Sequence, residues 1–164
     1  MIPIKKTILA VLLAASLGQV AWAKTTVATH SRKQTLAPSQ SGYVTDIDQA
    51  TRENHAFRKV LYTGSHSQLV VMSLKPGEEI GKETHQVDQF FRIEQGNARL
   101  KMDGKEYHVA KNSAFIVPAG TEHNVINTGH EDLKLYTIYS PPQHPPGTIH
   151  ETKADALKEK TRHG

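Results

Sequence analysis

One spacing constrains this chain more than any other feature: Gly77-x5-Glu83-x-His85-x3-Gln89-x6-Gly96. Glu83 and His85 stand two residues apart, and on an extended strand that spacing puts both side chains on one face. Gln89 follows after a short break at residues 86–88, and the strand Phe90-Phe91-Arg92-Ile93 then runs to a turn at Gln95-Gly96. A second stretch, Pro118-Ala119-Gly120-Thr121-Glu122-His123, leads through residues 124–126 to Asn127 and offers His123 as a fourth candidate ligand. Ligands drawn together from separate strands need a closed β structure with the site inside it.

The rest of the pattern agrees with an all-β chain. Phe57–Thr63 and Gln68–Leu74 read as strands joined by the turn Gly64-Ser65-His66-Ser67, and Lys75-Pro76-Gly77 is a turn by its chemistry. Ala98–Met102 and Glu106–Val109 flank Asp103-Gly104, a strong hairpin signal. Ala114–Val117, His123–Ile126 and Leu133–Tyr139 complete eight or nine short strands at even spacing, the signature of an antiparallel barrel or jelly roll. Short helices are expected at both ends. One lies within residues 46–57, with Ile47, Ala50 and Thr51 on one side. The other opens at the capping box Thr152-x-x-Asp155 and runs to about Lys160.

Both stretches resemble the paired motifs of the cupin family, Gly-x5-His-x-His-x(3 or 4)-Glu-x6-Gly and Gly-x5-Pro-x-Gly-x2-His-x3-Asn. The first matches in spacing throughout, with Glu83 at the first histidine and Gln89 at the glutamate. The second matches at Pro118, Gly120, His123 and Asn127, with Asn112 in place of its glycine. The resemblance spans residues 57 to 140 and implies a small jelly-roll barrel with a metal site of Glu83, His85, Gln89 and His123. One carboxylate and three neutral ligands would meet a divalent ion with the family's usual net charge; a hydrogen-bonded polar cluster without metal is the alternative. The implied cofactor is a divalent ion (Fe, Mn, Zn or Ni), and Glu83, His85 and His123 alone would form a two-histidine, one-carboxylate triad suited to Fe(II) or Mn(II). Fold alone decides no chemistry. Two functions stay open: a metal-dependent isomerase, lyase or oxygenase on a small sugar- or carboxylate-like substrate, and a binding protein that turns nothing over.

Alternation from these ligands points Phe91, Ile93, Val125 and Asn127 inward, so an apolar cavity is expected around them. Among the other histidines, His66, His108 and His130 read as solvated turn or hairpin residues, and His30, His55 and His163 as peripheral. His144 and His150 flank the extended crossing of residues 141–147, from which either can fold over the barrel mouth.

Met1–Ala23 carries Lys5 and Lys6, an apolar run over residues 8–17 and an Ala21-Trp22-Ala23 end, which reads as a secretory signal cleaved after Ala23. Residues 24–42 form a polar tether, residues 43–147 the barrel domain and residues 148–164 a C-terminal tail. A periplasmic or secreted protein with no membrane attachment after processing follows. Loss of Lys5 and Lys6 lowers Lys+Arg from 20 to 18 against 16 acids, leaving +2. The remaining basic residues are scattered, so nucleic-acid binding is not expected. The chain has no cysteine, which excludes disulfides and thiolate chemistry. A small-molecule ligand and a homodimer are the expected partners.

Overall fold

The computed structural model describes residues 41–163, with side chains through residue 158. The expected signal segment Met1–Ala23 and residues 24–40 of the expected tether lie outside the described residues. Nine strands and two helices follow one another: α1 (Ile47–Arg52), β1 (Arg58–Thr63), β2 (Gln68–Leu74), β3 (Asp88–Gln95), β4 (Asn97–Met102), β5 (Lys105–Ala110), β6 (Ala114–Val117), β7 (His123–Asn127), β8 (Leu133–Ser140), β9 (Ile149–His150) and α2 (Lys153–His163). Every paired strand is antiparallel. A six-stranded sheet has the order β6-β3-β8-β2-β1-β9, and a three-stranded sheet the order β5-β4-β7. This is the expected all-β jelly roll with a short helix at each end.

Local chemistry explains most of the boundaries. Asp46 caps α1, its carboxylate accepting from the Gln49 N–H at 3.0 Å. At the second helix the Thr152 N–H and hydroxyl donate to Asp155 at 3.1 and 2.7 Å, and the Asp155 N–H returns a bond to the Thr152 hydroxyl. Asp103 and Gly104 both have positive φ, at 50° and 73°, which suits the tight β4–β5 hairpin. The sheet also extends past residue 147: Arg58 pairs with His150 and Lys59 with Ile149, a two-residue strand too short to show in the sequence pattern.

The core lies between the two sheets. Val70, Met72 and Leu74 of β2, Phe91 and Ile93 of β3 and Leu133 and Leu135 of β8 meet Leu100 of β4 and Val125 of β7. α1 packs on the outside of the larger sheet, against β2, β3 and β8. Under it, Lys134 is buried and donates to the Asn54 carbonyl at 2.7 Å and the Ser73 hydroxyl at 2.9 Å, with Asp132 at 3.3 Å. A buried ammonium is tolerable only with such partners.

Between β2 and β3 the chain forms no regular strand but lies extended along β7. Gly77 N–H bonds Asn127 O at 3.1 Å, Asn127 N–H bonds Glu78 O at 2.9 Å and Ile80 N–H bonds Val125 O at 3.0 Å. Glu83 and His123 exchange two bonds of 3.0 Å, and Gly120 N–H bonds His85 O at 2.7 Å. This ladder joins the smaller sheet to the connection leaving the larger one.

The motif glycines Gly77 and Gly96 both have positive φ, 78° and 88°. A methyl at Gly77 would meet nothing within 4 Å, whereas one at Gly96 would lie 3.2 Å from Leu133 Cα and 3.3 Å from Asp132 O. Gly77→Ala is therefore expected to cost only the left-handed backbone strain, about 1–2 kcal/mol. Gly96→Ala should cost more, because the added methyl must also displace backbone. Equal losses in chemical denaturation would contradict this account.

Candidate metal centre

Three of the four sequence-predicted ligands converge. The donor atoms of Glu83, His85 and His123 all lie within 4.8 Å of one another. Glu83 and His85 come from the extended ladder and His123 from the first position of β7, so the Glu83–His123 backbone pair sets their separation. His85 Nε2 is 3.1 Å from Glu83 Oε2. Two donors each about 2.1 Å from one ion and at right angles would lie about 3.0 Å apart, so this pair fits adjacent coordination positions.

His123 shows the fit most directly. Its Nδ1 lies 3.1 Å from the Thr121 carbonyl, which can only accept, so Nδ1 carries the proton and Nε2 the lone pair. Nε2 is buried with no hydrogen-bond partner, and the residue is 2% exposed. Burial pushes the His123 pKa down, and the bond to Thr121 and the charge of Glu83 only partly oppose that. A neutral imidazole, anchored through one nitrogen with the other open, is what a metal ligand requires. The rings of Phe91 and Tyr139 stand edge-on to His123 and His85, at 5.9 and 5.7 Å between centroids.

Gln89 is buried on β3 in register with Tyr139 of β8. Its side chain lies beside the Tyr139 hydroxyl, whose pKa burial drives upward, and Oε1 is left buried without a hydrogen-bond partner. Phe91, Ile93, Val125 and Asn127 are buried as alternation requires. Asn127 serves structure: its amide donates to the Leu74 and Glu131 carbonyls at 2.9 and 2.8 Å.

The expectation of an apolar cavity holds on one side only. A cavity of about 650 Å³ opens beside Glu83 and His85, and its wall includes Arg58, His144, His150 and Lys153 of α2. His144 within the proline crossing and His150 just beyond it thus both fold over the barrel mouth. The side chain of Gln68 holds the crossing in place, accepting from the Gln143 and His144 N–H groups at 3.3 and 2.9 Å and donating to the His144 carbonyl at 2.7 Å. His55, His66, His108 and His130 are exposed.

Arg58 is the residue that sequence reasoning missed. It is 6% exposed, with Nη2 3.6 Å from Glu83 Oε1. Its signal was parity: Arg58 shares the buried face of β1 with Val60, and a charge on that face is out of place in a purely structural strand.

The fold and this donor set define a small jelly-roll barrel with a histidine–carboxylate centre at its mouth. The chain belongs to the cupin family: the family model for the cupin domain matches residues 70–139. It is 55% identical over 122 residues to the uncharacterized protein YrkC of Bacillus subtilis, across 70% of this chain and 66% of that one. It is 45% identical over 113 residues to the uncharacterized protein L612 of Acanthamoeba polyphaga mimivirus, across 65% of this chain and 70% of that one. The crystal structure of BH2720 from Bacillus halodurans superposes with a TM-score of 0.72 at 45% identity, covering 74% of this chain and 98% of that one.

Burial pulls the His144 pKa down to about 3, with the nearby Arg58 charge acting in the same direction. The unfolded chain therefore binds a proton between about pH 6.5 and 3 that the folded chain refuses. The resulting stability is complete above about pH 6.5 and is lost as pH falls toward 3. Denaturation of metal-free protein at pH 7 and pH 4 should show this loss, and His144→Gln should make it smaller; an unchanged difference would contradict it.

Proposed function

We propose that this cupin holds one divalent ion on Glu83, His85 and His123, with Gln89 as a weaker fourth ligand. In this reading it acts as a metal-dependent enzyme of the isomerase, lyase or oxygenase type on a small sugar- or carboxylate-like substrate. The observation that carries the reading is His123, a buried neutral imidazole whose open Nε2 faces a carboxylate and a second imidazole within 4.8 Å. Gln89 enters through its unpartnered Oε1, which can turn toward the same centre. Bound there, the ion supplies a Lewis acid that polarises a substrate oxygen.

The protein's own groups do the rest. Glu83 lowers the charge of the centre, and Phe91 and Tyr139 keep water from its inner side. His144, edge-on to Tyr139 at 5.0 Å, stays neutral, and its buried Nε2 has no partner in the protein. It can therefore hydrogen-bond a substrate in the cavity. Tyr139 stays protonated beside Gln89.

A second reading, a binding protein without turnover, has its own support. Glu83 is the single carboxylate among the described residues lining the cavity, and as a ligand it is unavailable as a general base. Dioxygen uptake, or deuterium incorporation into small sugars and keto acids in heavy water, separates the two. A metal-dependent signal favours the enzyme, and binding without either signal favours the binder.

Metal analysis of protein purified without a nickel column should find about one divalent ion per chain. His85→Ala and His123→Ala should abolish it. Glu83→Gln should weaken binding strongly, since the ion would lose its compensating charge. Gln89→Ala should weaken it least, an amide being the poorest donor of the four. The reverse ranking, or full metal in Glu83→Gln, would overturn these roles.

We further propose a periplasmic or secreted location, with the mature chain beginning at Lys24, and assembly as a homodimer. Intact-mass measurement should find that start, and a full-length chain recovered from the cytosol would contradict it. Light scattering reports the assembly, and a monomer mass would end the dimer proposal.

A further inference from the structure

The cavity beside Glu83 and His85 is two-faced. Phe57, Ile80, Ala156 and Leu157 supply apolar wall, while Arg58, Lys82 and Lys153 supply cations. The two lysines are already matched from outside the cavity. Lys82 Nζ is 3.1 Å from Glu122, and Lys153 Nζ is 3.6 Å from Glu79. Arg58 has no such carboxylate outside the cavity: its guanidinium lies over the Phe57 ring, 5.7 Å from the centroid. Its Nε is buried with no hydrogen-bond partner, and its 3.6 Å approach to Glu83 is an ion pair longer than a hydrogen bond. A guanidinium presents a planar fork suited to two carboxylate oxygens, so a buried one aimed at a cavity with an open donor is a carboxylate site.

Charge accounting points the same way. Arg58 and Glu83 offset each other across 3.6 Å, with His85 Nε2 on the other Glu83 oxygen at 3.1 Å. Once Glu83 is committed to a divalent ion, the ion and Arg58 together leave excess positive charge in a site walled by Phe91 and Tyr139. A buried excess of that kind is costly unless an anion enters with it. The ligand therefore brings negative charge to Arg58 and apolar surface to the apolar part of the wall.

Resting on the metal reading above, we propose that the cavity binds a small carboxylate with an apolar body. The carboxylate lies on the Arg58 fork, and the body packs among Phe57, Ile80, Ala156 and Leu157 of α2. A volume of about 650 Å³ accommodates such a molecule beside the metal centre. Sugars, which lack both the charge and the apolar body, then fit the cavity less well than carboxylates. Helix α2 becomes part of the binding site through Lys153, Ala156 and Leu157, with Leu157 52% exposed at its rim.

Calorimetric titration of the zinc-loaded full chain with butanoate, hexanoate and octanoate, the matching primary alcohols and inorganic phosphate tests this. Affinity should rise up to about fourfold for each added methylene. The alcohols and phosphate should bind at least tenfold more weakly than octanoate. Arg58→Gln should lower octanoate affinity about tenfold or more while zinc stoichiometry stays at the parent value. Should Arg58→Gln fail to fold, Arg58→Lys keeps the charge but loses the fork and should still weaken octanoate. Leu157→Asp should flatten the chain-length dependence without affecting zinc. Octanol or phosphate matching octanoate, or octanoate affinity unchanged in the Arg58 variants, with zinc bound in every case, would overturn this inference alone. A parent chain that takes up no zinc would overturn the metal reading and this inference with it.

Discussion

The ladder between residues 77–85 and β7 is the constraint on which the site depends. Its Glu83–His123 rung, two hydrogen bonds of 3.0 Å, places a carboxylate and an imidazole from residues forty positions apart in adjacent backbone register. The same ladder ties the connection between two strands of the larger sheet to the edge of the smaller one. Closing the barrel and assembling the donors are therefore one event. A slip of one residue would turn Glu83 or His123 away and would also expose the core residue Val125. Burial of the apolar face thus enforces the geometry of the polar centre.

The electrostatics of the mouth divide by position. Groups at the rim, such as Lys82 with Glu122, are exposed and contribute little to stability. The inner pair Arg58 and Glu83 is buried, and its attraction has to offset the loss of water around both charges. Such pairs are weak evidence for a purely structural role, because apolar residues of similar size would often stabilise the fold as well. Here the pair lines a cavity and stands beside two imidazoles, which is an arrangement suited to ligands. His123 and His144 are both kept neutral by burial, each leaving a ring nitrogen unpartnered.

The cavity's outer wall comes from the C-terminal part of the chain. Gln68 anchors the proline crossing through both ends of its amide, and β9 attaches the segment to β1. The crossing and α2 thereby become wall of the cavity beside the barrel.

What the sequence by itself determined is local. Turn chemistry at Asp103-Gly104 and Lys75-Pro76-Gly77 and the capping box at Thr152 and Asp155 placed the elements. Period-two alternation named Phe91, Ile93 and Val125 as core, and the motif spacing picked out Glu83, His85, Gln89 and His123. These features were legible because each depends on residues a few positions apart. Only the tertiary structure decided that Arg58, His144 and His150 stand at the same site, and that one side of the cavity is charged. Arg58 faces His150 because β9 pairs with the outer edge of β1, and Tyr139 meets Gln89 because β8 lies beside β3. Alternation tells which face a side chain takes but not which strand will lie next to it. That neighbour is chosen by closure of the whole barrel, which spacing within any one stretch cannot encode.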